Sequence, residues 1–99
     1  MSNKYILDGQ TPVPCDLLTW AKWFETAERH VAETTVGDVK VSTVFLGLDH
    51  RESGPPILFE TMVFGGPLDQ EQDRYATWQE AEQGHQVMVE RATRAQEQP

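Results

Sequence analysis

Residues 39–66 read VKVSTVFLGLDHRESGPPILFETMVFGG, and this stretch decides the fold. Two runs of β-branched and aromatic residues flank a polar break containing Gly54, Pro55 and Pro56. Branched and aromatic side chains suit a pleated, half-buried surface, and Gly and Pro interrupt it, so the pattern specifies two antiparallel strands joined by a loop. Side chains alternate along a strand. In the first run Val39, Val41, Thr43 and Phe45 therefore share one face, and Lys40, Ser42, Val44 and Leu46 the other. In the second, Ile57, Phe59, Thr61 and Val63 oppose Leu58, Glu60, Met62 and Phe64. Both runs are more apolar than a surface ribbon needs. Either both faces are covered in part, or one face meets a partner.

N-terminal to the hairpin, Lys4 to Asp8 reads as a short strand ended by Gly9, expected to pair at one side of the hairpin. Thr11 to Pro14 is an extended connector, since proline fixes φ and biases the residue before it. Asp16 is placed to cap a helix. The apolar spacing of Leu17, Trp20, Ala21, Phe24, Ala27 and Val31, with Glu28 as an exception, predicts that this helix runs to about Thr34. Leu18 and Trp23 flank its apolar face. Lys22, Glu25, Arg29 and Glu33 mark the wet side, with Glu25 and Arg29 as an i, i+4 pair and His30 near the C-terminal end.

C-terminal to the hairpin, Gly65-Gly66-Pro67 stops the strand and LDQEQD forms an acidic loop. Residues 74–76 read as a short third strand. Thr77 and Glu80 make a capping box. The helix that follows carries Trp78, Ala81, His85, Met88, Ala92 and Ala95 as one stripe, with Gly84 calling for close packing, and residues 95–99 fray. The order β-α-β-β-(β)-α predicts an α+β two-layer domain over residues 1–99, an antiparallel meander packed against two helices.

Composition limits the function classes. The chain has 99 residues, 16 acidic and 8 basic, for a net charge of -8. That length gives one domain. The acidity argues against direct nucleic-acid binding and favours a partner with a basic surface. Mean hydropathy is -0.53, and no apolar run approaches the roughly 20 residues of a membrane span. The opening MSNKYILDG is too short in apolar residues for a signal peptide, so the expected location is the cytoplasm. The single cysteine excludes an internal disulfide and a cysteine-rich zinc site.

No catalytic set emerges. Cys15 sits at a helix start beside Asp16, which disfavours a thiolate. Ser42 and Ser53 lack a nucleophile-elbow pattern, and the glycines form no phosphate-binding motif. No histidine pair or triad has metal-ligand spacing, so neither metal nor cofactor is expected. Asp49, His50 and Arg51 crowd the hairpin loop, where function tends to sit. Glu60 lies inside the apolar ILFETMVF and needs Arg29, Arg74 or His85 as a partner if it is buried. Asp49, His50, Arg51, Glu60 and Arg74 are thus the candidates for binding a small ligand or nucleotide, and Asp49, His50 and Glu60 for a small enzyme. Asp69, Glu71, Asp73, Glu80 and Glu82 are the candidates for electrostatic docking, with Trp23 as an aromatic anchor if it is exposed. A hairpin face left uncovered would also favour a homodimer.

The segments YILDG, WAKWFE, VSTVFLGLDH, LFETMVFGG and TWQEAEQGH together resemble a group of small proteins encoded by phages and prophages. The likeness runs from Tyr5 to about Val89 and carries no assigned chemistry. It implies residence in a host cytoplasm and action against host machinery, including CRISPR and nucleotide-signalling defences. With the charge balance, the leading expectation is a non-enzymatic accessory protein. It would inhibit a host defence protein, such as a nucleic-acid-binding component, by stoichiometric contact.

Overall fold

A computed structural model describes residues 3–49, 51 and 53–97. The chain runs β1 (Tyr5–Asp8), β2 (Thr11–Pro14), α1 (Leu17–Thr26), β3 (His30–Val36), β4 (Val39–Phe45), β5 (Phe59–Phe64), β6 (Gln72–Tyr75) and α2 (Trp78–Glu97). The fold is α+β. Strands β3 to β6 form an antiparallel meander in sequence order, and β1 and β2 form a separate two-stranded ribbon.

The hairpin of residues 39–66 pairs as its composition requires, from Lys40↔Phe64 to Phe45↔Phe59. Val39, Val41, Thr43 and Phe45 of β4 and Phe59, Thr61 and Val63 of β5 are buried. Against them lies α2, whose buried residues are Ala81, His85, Met88 and Ala92. That is the stripe its spacing predicts. Its start is the capping box: Glu80 N–H donates to Thr77 Oγ1, and Thr77 N–H donates to Glu80 Oε1, both at 3.1 Å.

Three expectations are corrected. First, α1 ends at Thr26, where Ala27 turns extended (ψ 140°), and does not continue to Thr34. HVAETTV is β-branched and finds β4 as a pairing partner, so tertiary pairing overrides the weak helical period. His30 therefore opens β3. Arg29 makes no helical pair with Glu25; its Nη1 donates to Phe45 O at 3.1 Å and its guanidinium lies 4.9 Å from the Phe24 ring centre. Second, β1 pairs along its length with Thr11–Pro14, and only its start, at Lys4 and Tyr5, meets the hairpin side as expected. Pro12 and Pro14 are tolerated because a two-stranded ribbon consists of edges only, and Gly9 at φ 63° makes the turn. The ribbon joins the rest through Tyr5 N–H to Gly47 O at 2.9 Å and a bridge between Lys4 and Leu48. Third, α2 stays helical through Glu97, so the expected fraying of 95–97 gives way to helix, and residues 98 and 99 lie outside the described residues.

Helix α2 covers one side of the meander. Trp23 of α1 meets Phe45 edge-on at 5.7 Å, just beyond the start of α2. Phe45, Leu58, Phe59 and Ala81 form the core there, with Tyr5, Trp23 and Trp78 packed against it.

Candidate functional site

The side of the meander that faces away from the helices is open. Thr35, Lys40 and Phe64 stand in one row across it, Glu33, Ser42, Met62 and Gln72 in the next, and His30, Val44, Glu60 and Arg74 in the third. Val44 and Met62 are half-buried, while Phe64 remains 44% exposed with the Lys40 ammonium 5.2 Å from its ring centre. The centre of this face is thus an apolar strip with charge on both flanks.

Glu60 finds its partner directly across the strand pair. Arg74 Nε donates to its carboxylate at 2.9 Å, and the Glu60 side chain keeps only 16% of its exposure. Next to this pair the face deepens into a cavity of about 550 Å³ lined by Leu46, Leu48, Ile57, Arg51 and Arg74. Sequence reasoning selected the two arginines but not the three aliphatic side chains. Their signal was present, because the first strand becomes apolar on both sides at Phe45 and Leu46.

The cavity wall is held by Asp49. Its Oδ1 accepts from Arg51 N–H at 3.1 Å and Ile57 N–H at 3.3 Å, joining the two ends of the loop. Arg51 Nη1 donates to Pro55 O at 3.1 Å. Asp49 therefore shapes the loop, and Glu60 is paired with Arg74. His50 lies outside the described residues.

A polar seam runs through the core behind the face. Thr34 and Thr43 hydroxyls bond the two ring nitrogens of His85 at 2.9 and 2.7 Å, and Thr43 also bonds Thr61. His85 is 1% exposed, and burial pushes its pKa below the ordinary value. It is a satisfied core histidine. Burial, then the neighbouring Asp16, raises the Cys15 thiol, which opposes a nucleophilic role. Among the described residues no group of three or more His, Cys, Asp or Glu is placed to hold a metal ion.

The acidic candidates are all exposed, but most also serve the local backbone. Asp69 accepts from Gly65 N–H at 2.6 Å, Asp73 accepts from Arg74 N–H at 3.1 Å, and Glu71 pairs with Arg91 at 3.0 Å. Glu80 belongs to the helix cap, and Glu82 projects from the first turns of α2. Trp23 is packed against the core instead of standing exposed. Among the described residues the exposed large apolar ones are Leu17, Leu18, Phe64 and Val87.

No protein-family model matches the chain, no curated protein matches its sequence, and no solved structure matches its fold. Among the described residues no helix is long and apolar enough to cross a membrane.

Proposed function

We propose that the chain is a phage accessory protein that acts without turnover, by stoichiometric contact with a host defence protein in the host cytoplasm. The observation that carries this reading is the one-sided cover of the meander. Helix α2 takes one face, with Trp23 of α1 reaching its Phe45 end, and the other face leaves Phe64 exposed next to the half-buried Met62. An apolar strip with an aromatic residue at its edge and charge around it is the anatomy of a docking surface. The net charge of -8 selects a basic partner, such as the groove of a CRISPR effector that receives nucleic acid. The likeness to small phage proteins supports the setting. The commitment of Asp49 and Glu60 to structural bonds supports binding over catalysis.

The test is expression in a host with an active CRISPR system, paired with capture of the purified effector at low salt. Relief of interference, and a complex that weakens as salt rises, support the proposal. No capture at low salt together with full interference overturns it. Light scattering on the protein alone reads the competing occupant. A second copy on the open face would double the 11.2 kDa mass and hide Phe64 from any partner.

A further inference from the structure

The cavity beside Arg74 has the size, lining and charge of a small-molecule site. Its volume of about 550 Å³ lies within the roughly 300–1,000 Å³ of ligand pockets. We propose that it binds an aliphatic monocarboxylate, with the chain against Leu46, Leu48 and Ile57 and the carboxylate received by Arg51 and Arg74.

Three observations select that chemistry. The floor is aliphatic, built from Leu46, Leu48 and Ile57, which suits a hydrocarbon chain. Two arginines line one concavity in a chain with only 8 basic residues against 16 acidic. A guanidinium presents a planar fork that matches a carboxylate with two parallel hydrogen bonds. Arg74 gives Nε to Glu60 and Arg51 gives one Nη to Pro55 O, which leaves further N–H donors on each. Third, Glu60 cancels one of the two positive charges, and the Asp49 carboxylate lies in the adjoining loop. With Arg51 and Arg74 set against Glu60 and Asp49 the charges balance, so a ligand carboxylate would be held by the remaining guanidinium N–H donors and not by an excess of positive charge. A phosphate dianion or a nucleotide polyphosphate would meet these carboxylates as like charges.

The walls are built before any ligand arrives. Asp49 ties the two loop ends together, its own N–H donates to Asn3 O at 2.9 Å, and Lys4 bridges Leu48. Little ordering cost remains for a ligand to meet. The cavity lies at the Leu46 end of the open face, whereas Phe64 pairs with Lys40 at the other end of β4. The two lie on one face, since Val44 of the apolar strip is in register with Glu60 and Arg74, so octanoate binding to the protein alone reads the cavity and effector capture by Phe64→Asp reads the partner contact.

Titration calorimetry of the full chain with octanoate, together with amide chemical shifts, tests the site. Octanoate should bind saturably and shift the amides of Leu46, Leu48, Arg51 and Ile57, while acetate and octanol should not. Arg51→Gln and Arg74→Lys should each weaken octanoate about ten- to a hundredfold, the loss of one charge-assisted hydrogen bond. Leu48→Trp should block binding by filling the cavity while leaving both guanidiniums in place. Absence of octanoate binding overturns the proposal. So does equal binding of octanol, which would mark a merely greasy cleft, or tighter binding of octyl phosphate or AMP, which would mark a phosphate site.

Discussion

The ring of Tyr75 occupies the place where a side chain at position 84 would stand: a Cβ on Gly84 would collide with Cε1, Cζ and the hydroxyl oxygen together. Strand β6 and helix α2 approach each other more closely here than any residue with a side chain allows. Gly84 is the price α2 pays for receiving Tyr75.

That relationship sets the sign of a substitution that normally stabilises. In a free helix interior alanine is better than glycine by up to about 1 kcal/mol. Here Gly84→Ala should lose about 1–3 kcal/mol, because overpacking displaces the ring. In a Tyr75→Ala background the same change should become neutral or stabilising. Urea unfolding of the four proteins reads the coupling, and an equal loss in both backgrounds would refute the steric account.

His85 gives stability a pH dependence near neutrality. Its folded pKa lies below the ordinary 6.5 because burial disfavours the imidazolium. The unfolded chain therefore binds more protons than the folded one as pH falls through 6.5, and stability rises with pH over that window. The melting temperature should drop between pH 7.5 and 5.5, above the range where carboxylates titrate. His85→Gln keeps polar contact with Thr34 and Thr43 but cannot titrate. Its melting temperature should be lower at pH 7.5 and nearly flat over the same interval. An undiminished slope in His85→Gln would assign the effect to another group.

The parts of the fold legible in the sequence are those where local pattern and tertiary environment agree. The hairpin, the capping box and the α2 stripe each carry a period or motif that packing then uses. The boundary of α1 was not legible, because Ala27, Glu28 and Val31 continue a helical spacing while HVAETTV carries strand propensity, and pairing with β4 decides between them. The pairing of β1 with two prolines was hidden for a related reason, since Pro12 and Pro14 exclude a central strand but not an edge ribbon. Of the candidate site, the need of Glu60 for a cation was legible, with Arg29, Arg74 and His85 left as alternatives, and the register of β5 with β6 selects Arg74. The cavity was not, since Leu46, Leu48 and Ile57 come together only when the loop closes through Asp49.

Asp49 separates a structural carboxylate from a catalytic one. Two loop N–H groups depend on it, so Asp49→Ala should destabilise the fold by about 1 kcal/mol and loosen octanoate binding. Asp49→Asn keeps an accepting oxygen and should recover most of both. A catalytic carboxylate would behave differently: asparagine would be as inactive as alanine, with stability unchanged. Urea unfolding and calorimetry on the two variants give the comparison.

Beside the lone Val87 of α2, two exposed apolar groups compete as the docking surface: Phe64 on the open sheet face, and Leu17 with Leu18 on the first turn of α1, which are 62% and 66% exposed. Phe64 has the stronger physical case. It continues a half-buried strip of Val44 and Met62, so contact there would extend apolar surface already partly removed from water. The two leucines stand on a short helix with no buried residue of its own. Phe64→Asp should therefore abolish effector capture while changing stability by no more than about 0.5 kcal/mol, as expected of an exposed position. The double change Leu17→Ser with Leu18→Ser should leave capture intact. Glu33→Lys, on the open face in the row of Met62, should slow association and flatten its salt dependence, with less effect on dissociation, because rim charges act mainly on encounter. If the leucine variant loses capture and Phe64→Asp keeps it, the contact moves to α1 and the open face has no part in it.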